Sequence, residues 1–325
     1  MDALSDVLRV ARLTGGVFLN AEFFEPWCMS AQLAPEHCAP FLGPASHLIC
    51  YHYVIEGRLS VRVGNEPTYE LGPGEVVMFP QNDPHLLGSH LDLPPVPGAD
   101  VIVPPEDDGL FTVRLGGEGA RTRAICGFLG CEDGGNNPVM SILPTSLRLN
   151  IESGAAAEWI RTTFQYAADE VAAGRPGSET VLAKLSELMF VEAVRRYAET
   201  LPEEETGWLA GLRDPYIARA LALFHGRIDH NWSVDELGRK VGLSRSAFAD
   251  RFTRLIGQAP MQYLANWRMQ VAAQSLRTTS DSLAQIAEAI GYESEAAFSR
   301  AFKKAFGKAP ATWRRTAGTL KVTGR

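Results

Sequence analysis

With 325 residues, 46% of them hydrophobic and 21% charged, the chain has room for two or three compact units, and its composition excludes a disordered or fibrous protein. No apolar run approaches the roughly 18 residues of a membrane span, which excludes a bilayer-spanning helix. The net charge of −7 is divided unevenly, with 18 Lys+Arg against 9 Asp+Glu in residues 213–325 and 13 against 29 in residues 1–212, an asymmetry that points to a polyanionic partner for the C-terminal third.

The start, MDALSDVLRVARLTGG, lacks an uninterrupted apolar stretch of the secretory kind. Five cysteines (Cys28, Cys38, Cys50, Cys126, Cys131) without a CxxC pair predict reduced thiols rather than a disulfide framework or a zinc knuckle. A cytoplasmic protein without a membrane partner is expected. In RLSVRVG, Leu59, Val61 and Val63 alternate with polar neighbours as in a half-buried strand, and VVMF at 76–79 is a short apolar run closed by Pro80. Turns are expected at Glu56-Gly57, Gly64-Asn65 and Gly72-Pro73-Gly74. Short strands so spaced predict a small barrel or sandwich. The proline-rich, acidic stretch 92–109 reads as an irregular loop, strand character resumes at RTRAICGFLG (121–130), and the β unit ends near Leu149.

Helical spacing follows. One helix is expected over 154–173, stopped by Gly174, and a second opens at Ser178 with Val181, Leu185, Leu188 and Met189 on one side. This hairpin, within a linker of residues 151–207, serves as a connector or as a homodimer contact.

The segments GLSRSAFADRFTRLIGQAP (242–260) and GYESEAAFSRAFKKAFGKAP (291–310) repeat one pattern. Aligned on Phe248 and Phe298, both carry a second Phe four residues later (Phe252, Phe302), a Gly at nine (Gly257, Gly307) and Ala-Pro at eleven and twelve. Each follows a Gly (Gly242, Gly291) and an earlier capping-box pattern, Ser233-x-x-Glu236 or Ser282-x-x-Gln285. A short helix bearing Leu237 and Val241 (Ile286 and Ile290 in the copy), a Gly turn, and a helix whose Phe pair shares one face make a helix-turn-helix. Phe248, Phe252, Phe298, Phe302 and Trp313 are expected in the core. The second helix of each copy leaves a polar, mainly basic face, and the connecting MQYLANWRMQVAAQSL predicts a rod of about 24 Å. Two reading heads on one stiff connector suit successive major grooves, about 34 Å apart on one side of double-stranded DNA.

Residues 214–315 resemble the DNA-binding domain of AraC/XylS-type transcription regulators, with GYESEAAFSRAFKKAFGKAPATWRR the most typical stretch. The resemblance implies base-facing roles for Ser246, Ala249 and Asp250 in the first copy and for Glu295, Ala296, Ser299 and Arg300 in the second. Arg300 is the strongest candidate for reading a guanine. Arg245, Arg251, Lys303 and Lys304 are expected on phosphates. The expected domain covers 208–318, with helix-turn-helix modules at 233–254 and 282–304.

YHYVIEGRLSVRVGNEPTYELGPGEVVMFPQNDPHLLG resembles a cupin barrel, and with MDALSDVL and ICGFLG it resembles the cupin-like sensor domain of one branch of the same regulators, here residues 1–150. A metal-binding cupin has H-x-H, a following Glu and a later His. The corresponding residues are Cys50, His52, Glu56 and His85, an incomplete set that can hold zinc or iron or simply line a ligand site. Cys126, with Cys131 nearby, is a candidate thiol sensor because regulators of this branch include redox sensors. The predicted class is therefore α+β: a cupin-like β-barrel, a helical hairpin linker and an all-α tandem helix-turn-helix domain. The expected function is a non-enzymatic, sequence-specific transcription regulator that senses a small molecule or redox signal, needs no cofactor for DNA binding, and meets RNA polymerase if it activates. The alternative is a metal-dependent cupin enzyme with a helical appendage.

Overall fold

A computed structural model describes residues 3–11, 13–32, 47–103, 111–131, 143–150, 177–202 and 206–315, with isolated positions 140, 158, 162 and 166. The chain forms two compact units. One runs from Arg12 to Gly135 and from Leu143 to Tyr197, and the other gathers the first eleven residues with those from Ala198 onward.

The first unit is a β structure of two sheets. Strands β1 (Leu13–Phe24), β2 (Cys28–Ala31), β3 (His47–Glu56), β4 (Leu59–Val63), β5 (Tyr69–Leu71), β6 (Glu75–Phe79), β7 (His85–Gly88), β8 (Val96–Pro97), β9 (Ile102–Val103), β10 (Phe111–Gly116), β11 (Arg121–Cys131) and β12 (Leu147–Asn150) follow in chain order. Seven form a sheet in the order β12-β6-β3-β11-β1-β10-β9, and five form a second in the order β5-β4-β7-β2-β8. Alternation places Leu19, Ala21 and Phe23 of β1 and Ala124, Cys126 and Phe128 of β11 in one core with Leu59, Val61 and Val63 of β4. The expected strands at 59–63, 76–79 and 121–130 are all present. The stretch 92–109, expected to be irregular, instead contributes β8, a 3₁₀ turn at Gly98–Asp100 and β9, because neighbouring strands β2 and β10 accept it as edge pairing.

Helix α2 (Ser178–Thr200) opens where expected. Its buried side carries Leu185, Ser186, Met189, Phe190, Ala193 and Val194, and the Tyr51 hydroxyl of β3 lies 3.2 Å from that of Ser186. Val181 and Leu188, expected beside Leu185 and Met189, are 43% and 48% exposed, because the helix turns the arc of residues 186, 190, 193 and 194 to the sheet. The first helix of the expected hairpin, 154–173, lies largely outside the described residues.

The second unit is helical: α1 (Ala3–Ala11), α3 (Trp208–Arg213), α4 (Pro215–Gly226), α5 (Val234–Val241), α6 (Arg245–Ile256), α7 (Pro260–Thr278), α8 (Leu283–Ala289) and α9 (Glu295–Phe306). Helix α1, expected with the barrel, packs on α4 and α7, burying Ala3, Asp6 and Val7. Its apolar residues recur at helical rather than strand spacing. The first module's core joins Phe224, Phe248, Phe252 and Tyr263, with Phe248 and Phe252 centroids 5.6 Å apart. The second joins Phe298 and Phe302 to Met269, Ala272, Leu276, Ile286 and Ile290, with Trp313 packed partly buried against them. Each fully buried Phe contributes roughly 1.5–3 kcal/mol.

His225 of α4 stacks on Trp267 with centroids 4.1 Å apart, and its Nε2 lies 2.7 Å from the Tyr263 hydroxyl. Burial lowers its pKa to about 3, against the opposing hydrogen bond to the Ala3 carbonyl. The Asp6 carboxylate, 3.9 Å from Nδ1, would favour the cation, but burial dominates. The unfolded chain, with an ordinary value near 6.5, therefore binds the proton more readily than the folded one between these limits. Stability of this unit is fully present above about pH 6.5 and falls by about 1.4 kcal/mol per pH unit below it, about 2 kcal/mol by pH 5. Urea unfolding from pH 7.5 to 5 should show this slope flattened in His225→Gln, and identical slopes would contradict it.

Candidate nucleic-acid interface and barrel cavity

Each module begins with a capped helix. The Ser282 hydroxyl accepts from the Gln285 backbone N–H at 3.2 Å, and the Gln285 side chain accepts from the Ser282 backbone N–H at 2.8 Å, a complete capping box. In the first copy only half of it forms. Ser233 accepts from the Glu236 N–H, while the Glu236 carboxylate turns to His230 Nε2 at 3.1 Å.

The second helices α6 and α9 are capped by Ser244 and Ser294, which accept from Ala247 and Ala297 N–H groups at 3.2 Å. Neither cap was singled out in the sequence, although a Ser just before a helical run is the usual signal. Burying Phe248 and Phe252, or Phe298 and Phe302, turns the opposite face outward. Ser246, Asp250, Glu295, Ala296 and Arg300 are exposed, and Ala249 and Ser299 are half-buried beside the Phe pairs.

Arg245, Arg300, Lys303 and Lys304 are exposed, with no ion pair among the described residues. Arg251 differs. Its Nε–H donates to Asp214 Oδ2 at 2.7 Å, and its guanidinium lies 5.0 Å from the Tyr216 ring centre. Asp214 also caps α4, accepting from the Tyr216 and Ile217 N–H groups. The guanidinium of Arg251 is thus held in an ion pair, unlike the other three cations expected on phosphates.

Helix α7 connects the modules over 19 residues, longer than the expected sixteen because Pro260 serves as its first residue and Arg277 and Thr278 extend its end; at 1.5 Å per residue it spans about 28 Å. Arg268 in its middle ties the modules together. Its Nε–H and Nη2–H donate to the Ile228 and His230 carbonyls, both at 2.9 Å, and its guanidinium lies 5.9 Å from the Tyr292 ring centre. Gly291, at φ +76°, turns against the same loop: a Cβ there would stand 2.3 Å from the Asp229 carbonyl oxygen. The equivalent Gly242, at φ +89°, has nothing within 4 Å of such an atom.

Inside the barrel, Cys50 and His52 of β3 and His85 of β7 converge. His52 Nε2 is 2.9 Å from His85 Nε2 and 3.7 Å from Cys50 Sγ, and all three residues are buried. Burial, reinforced by His85, holds the His52 pKa well below the usual range, and burial lowers that of His85 to about 4 against the opposing bond to Asp83. Both rings are neutral. His85 Nδ1–H donates to the Asp83 carbonyl at 2.8 Å, so its Nε2 presents a lone pair. Glu56 does not join them. It is exposed at the strand end and accepts from Arg121 at 2.8 Å, because the β3–β11 register shifts at Arg123/Ala124 and turns it outward.

Cys50, His52 and Cys126 line a largely apolar cavity of about 40 Å³ with Leu19, Phe23 and Val113. A groove of about 440 Å³ with a mixed lining adjoins it, with Ser30, Gln32, Arg62 and His85 among its residues. Cys126 and Cys131 face opposite sides of β11, five residues apart, and both are buried. Burial pushes the Cys126 thiol far above its usual value, so it is held protonated.

Comparison with known proteins agrees with this division. Residues 2–199 match the family described as Cupin, and residues 237–316 match a helix-turn-helix domain. The chain is 30% identical, over 97% of its length and 99% of the relative's, to an AraC-like transcription regulator of Streptomyces antibioticus. It is 25% identical, over 97% of each chain, to the RCS-specific HTH-type transcriptional activator RclR of Escherichia coli. Among solved structures, the DNA-binding domain of AdpA in complex with a target DNA is 28% identical over 34% of this chain and 98% of that one, with a TM-score of 0.32. Among the described residues no helix is long and apolar enough to cross a membrane. With a cupin domain followed by a helix-turn-helix domain and full-length relatives that are regulators rather than enzymes, the chain belongs to the AraC family of DNA-binding transcription regulators.

Proposed function

We propose that the two modules engage adjacent major-groove segments of one cytoplasmic DNA duplex, under control of a signal received in the barrel. Ser246, Ala249 and Asp250 face bases from α6, and Glu295, Ala296, Ser299 and Arg300 from α9. Arg245, Lys303 and Lys304 hold phosphates. The observation that carries this reading is the pair of outward helix faces bearing Arg245, Arg300, Lys303 and Lys304, none in an ion pair among the described residues, on the third of the chain that holds 18 Lys+Arg against 9 Asp+Glu.

A drug-sized ligand needs roughly 300–1,000 Å³. The cavity of about 40 Å³ is too small, whereas the groove of about 440 Å³ is large enough. A small organic effector therefore belongs in the groove, with Arg62 and Gln32 as its polar contacts. It acts by binding the active and inactive arrangements unequally. The exposed Val181 and Leu188, seven residues apart on α2, favour a homodimer through that helix; RNA polymerase is the further partner if the regulator activates.

Fluorescence anisotropy across a salt series tests the DNA reading. Log affinity should fall linearly with log salt, and Lys303→Ala/Lys304→Ala should reduce the slope by about 2 on every sequence. Salt-independent binding, or an unchanged slope in the double variant, would overturn it.

A further inference from the structure

We propose that Cys50, His52 and His85 form a three-ligand site for a zinc-like transition-metal ion, with a fourth coordination position opening on the barrel cavity. The proposal is independent of the DNA reading.

Two of the three donor separations are close to those of a tetrahedral site. Tetrahedral zinc with bonds near 2.05 Å to nitrogen and 2.3 Å to sulfur separates two imidazole nitrogens by about 3.3 Å and a nitrogen from a sulfur by about 3.6 Å. The observed separations are 2.9 Å and 3.7 Å, and all three atoms lie within 4.8 Å of one another. Between the two rings, insertion needs a spreading of about 0.4 Å.

The surroundings are those of a ligand set rather than of an ordinary polar core. His85 is oriented by the Asp83 carbonyl at Nδ1, which leaves Nε2 free to coordinate, the usual outer support of a metal-bound imidazole. With that tautomer, His52 Nε2–H must be the donor across the 2.9 Å contact, and His52 Nδ1 is left buried without a partner. A metal ion replaces the ring-to-ring bond: His52 carries its proton on Nδ1 and coordinates through Nε2, His85 is unchanged, and Cys50 loses one proton to solvent as its sulfur–metal bond forms. A divalent ion with one thiolate leaves a net charge of +1. The fourth position therefore favours water or an anionic donor, and the adjoining groove, to which His85 also contributes, is where such a donor would arrive.

The donor types select the metal. A thiolate with two imidazoles suits zinc, whereas the non-haem iron triad needs a carboxylate beside two histidines. Glu56, which could have supplied it, is bound to Arg121 at the barrel surface.

The full-length chain, purified under reductant and dialysed against metal-free buffer, should retain one zinc per chain by elemental analysis. Replacement by Co²⁺ should produce a thiolate-to-cobalt charge-transfer band that is absent in Cys50→Ser. His85→Gln should weaken zinc binding roughly tenfold or more in a chelator competition, while Glu56→Gln should keep full occupancy. Far-UV circular dichroism and salt-dependent DNA binding report whether each variant folds. Wild-type protein that takes up no zinc or cobalt, or metal held equally by Cys50→Ser and His85→Gln, would overturn the proposal, as would loss of metal in Glu56→Gln alone.

Discussion

Replacing Gly291 by alanine should cost the helical unit about 3 kcal/mol, whereas the same change at Gly242 should cost only about 1–2 kcal/mol. Both glycines end the first helix of their module in the left-handed region, so both substitutions carry the backbone penalty of an L residue there. Only Gly291 also abuts backbone, with its added Cβ 2.3 Å from the Asp229 carbonyl oxygen and 2.6 Å from Arg268 Nη2. A carbonyl cannot move aside as a side-chain tip can, so the second module must shift away from the 228–230 loop that Arg268 grips. DNA affinity should fall more steeply in Gly291→Ala than in Gly242→Ala, because a duplex spanning both modules needs them in register. Urea denaturation followed by tryptophan fluorescence gives the stabilities, and anisotropy on a duplex selected in vitro gives the binding. Equal losses at the two glycines would show that the modules do not depend on this contact.

Arg300→Ala should weaken binding to a selected duplex by about 1–3 kcal/mol, roughly tenfold to a hundredfold, with the melting temperature unchanged. The side chain is exposed in the second turn of α9 and makes no ion pair among the described residues, so its removal leaves no buried partner stranded. Its proposed role is two parallel hydrogen bonds to one guanine, which alanine cannot make. Substituting that base pair in turn should cost the wild type as much and the variant nothing further. Lys303→Ala should instead weaken all sequences alike. If Arg300→Ala lost affinity uniformly, Arg300 would be a phosphate contact.

The modules were legible because their determinants are local. Ser282 and Gln285 close a capping box three residues apart, Phe298 and Phe302 share a face four residues apart, and Gly307 ends its helix in the left-handed conformation. None of these depends on distant chain. Strands β4 and β11 were legible for the same reason, their period of two being written in adjacent residues. Contacts were missed where a residue's neighbour is far away in sequence. The pairing of Arg251 was not visible because Asp214, its partner, lies 37 residues earlier. Glu56 fitted the spacing of a ligand set, but a register shift against β11 turns it to Arg121. The packing of helix α1 on α4 and α7 was missed because those helices lie more than 200 residues on.

Sequence by itself determined the two kinds of unit, the duplicated modules, the Ser233 and Ser282 caps, the glycine turns and the uneven charge, since each follows from spacings of a few residues or from simple counts. Tertiary structure alone decided that Gly291 and Gly242 differ, that Cys50 and His52 meet His85 without Glu56, and that Arg268 spans from the connector to the first module's loop. The reason is physical: a backbone dihedral is set by the chain beside it, whereas a contact between side chains tens of residues apart exists only once the sheets and helices that carry them have packed.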